Sequence, residues 1–152
     1  MNNKKKNIIC VNKKIKYNYF IINKIVSGIV LQGWEVKSLR KKKVDINNSY
    51  ISFIKNEVYL INSIIYATSC IDKSIPIIIN RNRKLLLKKK QIKNLLFLKK
   101  KKRYTFVSFS LFWKKNFCKL KFALAKGKKK YDKRMIDKLN TWKMEKLKLK
   151  KK

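Results

Sequence analysis

From Phe117 to Lys126 apolar residues return at every second position, and the run before it, Tyr104 to Trp113, is rich in β-branched and aromatic residues. Only Lys114, Lys115 and Asn116 separate the two. Period two belongs to a strand that buries one face, and two such runs across a short polar link make a hairpin. In the second run Cys118, Leu120, Phe122 and Leu124 take one face, while Lys119, Lys121, Ala123 and Ala125 take the other. The hairpin is therefore expected to bury one side and offer a basic other side.

The rest of the chain extends this pattern. Tyr17 to Leu31 carries Tyr19, Phe20, Ile21, Ile22, Ile25, Val26, Ile29 and Val30 and reads as a long strand, with Gly28 marking a bend or bulge. Ser49 to Ala67 reads as a hairpin turning at Lys55-Asn56. Two segments change period. In Gln32 to Lys43, Val36 and Leu39 fall three apart among Lys37, Arg40 and Lys41; in Lys88 to Leu98, Ile92, Leu95 and Leu96 lie opposite Lys89, Lys90 and Lys93. Both predict helices. Thr68 to Arg83 breaks every period and predicts a long loop. Strands with interrupting helices and no βαβ alternation predict a mainly β chain: a small antiparallel OB-like β-barrel with two or three flanking helices and a basic C-terminal tail. The expected boundaries are a basic N-terminal extension over 1–7, the barrel over 8–126 and the tail over 127–152.

The chain has 152 residues, 45% of them apolar, enough for one domain with a modest core. Its 43 Lys and Arg against 7 Asp and Glu leave a formal charge of +36, which repels itself unless an anion neutralises it. The expected partner is a polyanion, either nucleic acid or an anionic membrane surface. Part of that excess reflects an A+T-rich coding sequence, because Lys, Ile and Asn crowd the whole chain while Ala, Gly and Pro are scarce. Lys residues therefore carry an argument only where spacing gives them a shared face. No apolar run approaches the ~18 residues of a membrane span, and no apolar signal stretch follows the basic N-terminus. The expected location is the cytoplasm, with no membrane partner. Cys10, Cys70 and Cys118 are widely spaced and the chain has no His, so no zinc site, disulfide framework or cofactor is expected. Without His, and with Glu35, Asp45, Glu57, Asp72, Asp132, Asp137 and Glu145 scattered, no catalytic pair is in view and no enzyme is expected.

Four features bear on RNA binding. Lys119 and Lys121 project from one strand face, where they form either a phosphate track or a solvated edge pattern that prevents aggregation; spacing leaves both open. Glu35 suits the positive end of the first helix and, taken alone, reads as a cap. Arg81, Arg83 and Lys84 beside Leu85 to Leu87 could grip a phosphate backbone, although the leucines alone read as core. Gly127 to Arg134 is basic with one aromatic, Tyr131, and one acid, Asp132, as in RNA-binding extensions. Beyond it Met135, Leu139, Trp142 and Leu149 form a sparse helical stripe among lysines. That segment is expected to be disordered alone by self-repulsion and to become a helix when neutralised against RNA.

The order of segments resembles the SsrA-binding protein family, also called small protein B, partners of transfer-messenger RNA. The matching stretches are Asn12-Lys13-Lys14 followed by Tyr19-Phe20-Ile21; Gly28 to Arg40, the most diagnostic; Ser49-Tyr50; Arg83 to Leu87; Phe112-Trp113-Lys114; and Ala125 to Lys129 with Asp132-Lys133-Arg134. Val26 departs from the pattern, standing where the family usually carries an acid. The resemblance implies a closed barrel that holds the tRNA-like domain of transfer-messenger RNA and delivers it to stalled ribosomes for trans-translation, in which the nascent peptide is tagged. On the resemblance, Asn12, Leu86 and Lys119 match positions tied to RNA binding; with Lys13, Glu35, Arg83, Lys84, Lys121 and Lys126 they make up the expected RNA-binding set. Gly127, Lys128, Lys129, Tyr131, Asp132, Lys133, Arg134 and Trp142 belong to a tail that acts at the decoding centre. The implied partners are transfer-messenger RNA, the small ribosomal subunit with its rRNA, and the elongation factor that carries aminoacyl-tRNA. A general ribosome-associated or single-strand RNA-binding OB module is the alternative.

Overall fold

The computed structural model describes residues 7–68, 77–102 and 104–149; Cys70 and most of the loop expected after Thr68 lie outside them. The strands are β1 (Asn7–Val11), β2 (Tyr19–Ile29), β3 (Val44–Asp45), β4 (Tyr50–Ile54), β5 (Glu57–Ile61), β6 (Ile64–Ile65), β7 (Arg83–Leu86), β8 (Thr105–Lys114) and β9 (Phe117–Gly127). The helices are α1 (Ile15–Asn18), α2 (Gly33–Arg40), α3 (Lys89–Lys102) and α4 (Lys130–Leu149). Seven strands run in the order β1-β8-β4-β5-β7-β2-β9, and a further β8–β9 pairing closes the sheet on itself. Every pairing is antiparallel. Closure leaves most strands paired on both sides, which removes edges along which so apolar a sheet could associate. The expected barrel class is thus found, with strand β1 beginning at Asn7, inside the stretch expected to be an extension.

Local chemistry explains the elements. The β4–β5 turn places Lys55 and Asn56 at φ 46° and 63°, the paired left-handed conformation whose twist suits a two-residue hairpin. Helix α2 starts where the Gln32 backbone N–H donates to Glu35 Oε2 at 2.7 Å, and it ends before Lys42, held at φ 56° where glycine would sit without strain. Lys115, in the β8–β9 turn, is left-handed too, at φ 54°. The long strand expected from Tyr17 begins instead at Tyr19, because Ile15–Asn18 winds into α1 with Ile15 buried beneath it.

The barrel interior is filled by Leu120, Phe122, Phe106, Leu111, Val58 and Leu60, each at most 1% exposed. Phe106 meets Phe53 and Phe122 edge-to-face at 5.4 and 6.3 Å between ring centres. Leu39 of α2 and Leu95 of α3 join this core. A second, smaller core lies on the opposite side of β8–β9, where α1 sets Ile15 against Val107, Ala123 and Ala125. This corrects the expected basic face: Ala123 and Ala125 are fully buried, and small side chains there admit the helix, so on that side of β9 the cations Lys119 and Lys121 stay open beside the exposed Phe117.

Burial pushes the Cys118 thiol up to about 12, so it stays protonated near neutral pH. Iodoacetamide at mildly alkaline pH is expected to modify Cys118 of the folded chain at least ~100-fold more slowly than in urea, since the thiolate is the nucleophile. Peptide mapping reads this directly, and equal rates would place Cys118 outside the core.

Candidate nucleic-acid interface

Antiparallel pairing puts directly opposed residues on the same side of a sheet. Ile8 opposes Phe112, Phe112 opposes Lys119, Lys119 opposes Gly28, and Gly28 opposes Leu86. One row therefore crosses five strands of the outer barrel wall. A second row, Val11, Ser110, Lys121 and Val26, runs beside it. Lys84 lies two residues from Leu86 on the same side of β7. Lys24, two residues from Val26 on β2, extends the face and places its Nζ 4.9 Å from the centre of the Phe109 ring. Leu86 and Val26 are 56% and 43% exposed, so the face mixes cations with open apolar side chains.

Gly28 shapes this row. A Cβ there would come within 3.2 Å of Leu86 Cβ and Cδ1, so the absent side chain lets Leu86 lean across β2 toward Lys119.

Lys84 and Glu57 form an ion pair, and Glu57 also accepts from the Tyr59 hydroxyl at 2.7 Å. The Lys84 ammonium, and then the Tyr59 hydroxyl, hold the Glu57 carboxyl below its usual range. The charge of Lys84 is thereby largely answered within the protein, which leaves Lys119, Lys121 and Lys24 as the cations of this face best placed for phosphate.

Three residues of the expected RNA-binding set are buried. Glu35 is fully buried: Oε1 accepts from Arg81 Nε at 2.9 Å and Arg83 Nε at 2.8 Å, and Oε2 accepts from Arg81 Nη2 at 2.5 Å. Arg83 is fully buried as well and donates to the Ser63 carbonyl at 2.7 Å, to Ser63 Oγ at 2.8 Å and to the Ile79 carbonyl at 3.0 Å. Burial lowers the Arg83 pKa, against which the Glu35 carboxylate acts. These two side chains tie α2 to the loop leading into β7. Asn12 is 5% exposed, and its amide donates to the Asn47 and Ser108 carbonyls at 3.2 and 3.1 Å while Oδ1 accepts from the Lys14 N–H at 3.1 Å. It fastens the loop before β4 to β8. Lys13 is exposed beyond β1, and Lys126 is exposed opposite Phe20 at the barrel's end, on the other side of β9 from Lys119 and Lys121.

Gly127 ends β9, and Lys128 donates from Nζ to the Lys16 carbonyl at 2.7 Å. Asp132 accepts from the Lys129 N–H at 2.9 Å, a cap at the start of α4. Residues 130–149 are helical. Contacts to the barrel are few: Tyr17 donates to Asp137 Oδ2 at 2.9 Å, and Lys133 Nζ sits 5.6 Å from the Tyr17 ring centre. Tyr131, Met135, Leu139 and Trp142 are exposed. Arg134 is exposed too, so the tail set presents Tyr131, Arg134 and Trp142 outward while Lys128 and Lys133 reach back to the barrel.

Sequence reading missed Lys24, Ile8, Val26 and Phe112 as members of the face. Period two within β2 already put Lys24 and Val26 on one side, but only the pairing of β2 with β9 says which side that is.

A family model described as SmpB protein matches residues 9–152. An SsrA-binding protein of Buchnera aphidicola subsp. Schizaphis graminum (strain Sg) is 51% identical over 149 residues, covering 97% of this chain and 91% of the relative. One from Buchnera aphidicola subsp. Baizongia pistaciae (strain Bp) is 45% identical over 141 residues, covering 93% and 89%. A solved structure described as "tmRNA-SmpB: a journey to the center of the bacterial ribosome" contains a chain that superposes with a TM-score of 0.65 at 34% identity, covering 80% of this chain and 85% of that one.

Proposed function

The chain belongs to the SmpB family of SsrA-binding proteins, and on that premise we propose that it binds the tRNA-like domain of transfer-messenger RNA and serves trans-translation on stalled ribosomes. The observation that carries this reading is the row Leu86–Gly28–Lys119–Phe112 with Lys121 in the row beside it, which sets cations and open apolar side chains on one wall of the barrel. Folded RNA is held there by shape and phosphate contacts, Lys119, Lys121 and Lys24 supplying the charge. The barrel binds RNA and the tail from Gly127 onward acts on the small subunit at the decoding centre. The protein supplies position and charge, and the chemistry stays with the ribosome, so it works in the cytoplasm without catalysis of its own. The elongation factor that carries aminoacyl-tRNA joins the complex as a further partner.

Lys119→Glu is the direct test. Affinity for a transcript of the tRNA-like domain is expected to fall roughly tenfold, and the slope of log affinity against log salt to flatten by about one. An unchanged slope would take Lys119 out of the interface. Competition with bulk tRNA separates this reading from a general RNA-binding module, which would be displaced as readily by either RNA.

A further inference from the structure

Beside the lysine-bearing rows, at the join of β1 and β8, the barrel wall opens into a groove of about 710 Å³. Its apolar lining includes Ile8, Val11 and Phe112, and its cations are Lys114, Lys115 and Lys121. Ile8 and Val11 are 44% and 38% exposed and, with Phe112, make a contiguous open apolar patch in the groove. No carboxylate lines the groove among the described residues. An acidic or phosphorylated protein segment could answer the charge, but it would not need the aromatic ring.

Two observations favour RNA. Lys121 Nζ lies over the Phe112 ring, 5.7 Å from its centre, so one residue pair offers both an ammonium for a phosphate and an aromatic ring for a base. Phe112 belongs to the row that reaches Lys119 and Leu86, and Lys121 to the row beside it, so the groove continues the RNA face. Its volume lies within the ~300–1,000 Å³ range of sites that hold small ligands.

We propose that this groove receives an unpaired base of the bound RNA, stacked on Phe112 with its phosphate on Lys121. Stacking tolerates any base, because every base has a π-face. The groove therefore adds affinity for unpaired nucleotides without reading their identity, while the lysine rows hold the adjoining helical RNA. This rests on the reading of the outer wall as the RNA face.

The test uses the full chain and two RNAs: a short stem closed by a uridine loop, and the same stem with the loop's sugar–phosphate intact and its bases removed. The wild-type chain is expected to bind the base-bearing loop about tenfold more tightly, and only that RNA should change the emission of Trp113, which lines the groove. Phe112→Ala and Phe112→Leu are expected to abolish the preference, while Phe112→Trp retains it. Phe112→Leu keeps apolar bulk, so loss of preference with an unchanged melting midpoint separates stacking from misfolding. Equal wild-type affinity for the two RNAs would overturn the proposal, as would a groove that still takes up an apolar dye when RNA is bound. Lys119→Glu run alongside keeps the two readings apart. If it weakens both RNAs while Phe112→Leu changes neither, the groove holds no base but the RNA face stands; if neither variant matters, the face itself is misplaced.

Discussion

A chain ending at Gly127 is expected to bind the tRNA-like domain with nearly undiminished affinity and yet to support no peptide tagging on stalled ribosomes. The rows of the outer wall end with β9, and everything they contain lies before Lys128; among the described residues of α4 none is buried. What truncation removes from the barrel includes the pair of bonds made by Lys128, to the Asn18 and Lys16 carbonyls at 2.9 and 2.7 Å, its ammonium 4.9 Å from the centre of the Phe20 ring, and the Tyr17 contacts of α4. Bonds so exposed contribute little, about 1 kcal/mol or less each, so the barrel should melt within several degrees of the full chain. Filter binding and a tagging assay on ribosomes stalled at a message end would check both halves. Equal loss of affinity and tagging would refute the division between barrel and tail.

Glu35→Gln is expected to remove about 3–5 kcal/mol of folding stability, read by urea denaturation, because it leaves two arginines facing a buried site with no counter-charge. Arg83 cannot turn outward: its side chain has no exposure and its other donors are committed to Ser63 and Ile79. Arg81, 21% exposed, can recover some hydration. The loss would take a large part of the roughly 5–15 kcal/mol that a domain possesses. The double change Glu35→Gln with Arg83→Met should be milder than Glu35→Gln alone, since it removes the stranded charge along with its partner. A loss below about 1 kcal/mol in the single variant would mean that water reaches the site and answers the arginines instead.

The same triad shows how far local pattern carries. A cap at Glu35 was legible in the sequence because capping needs only a helix start, and the bond from the Gln32 N–H exists. Its arginine partners were not, because they lie 46 and 48 residues away and no periodicity links a helix to a distant loop. Helix α2, the β4–β5 turn and the β8–β9 hairpin could all be read for the first reason. Ala123 and Ala125 were misread for the second: continuing the alternation of Lys119 and Lys121 they look solvent-facing, and what covers them is a four-residue helix contributed from before β2. Asn12 is similar, a polar residue in a basic stretch whose amide is consumed by backbone brought from residues 47 and 108. Lys119, Lys121 and Leu86 do share a face, and strand pairing alone explains why.

Lys42, Lys55 and Lys115 stand in left-handed backbone. A lysine forfeits about 1 kcal/mol in that conformation, where glycine would forfeit almost nothing. Three such positions withdraw roughly 3 kcal/mol from a fold whose cations already repel one another. These turns thus cost the free protein stability that a tightly bound polyanion returns by mass action.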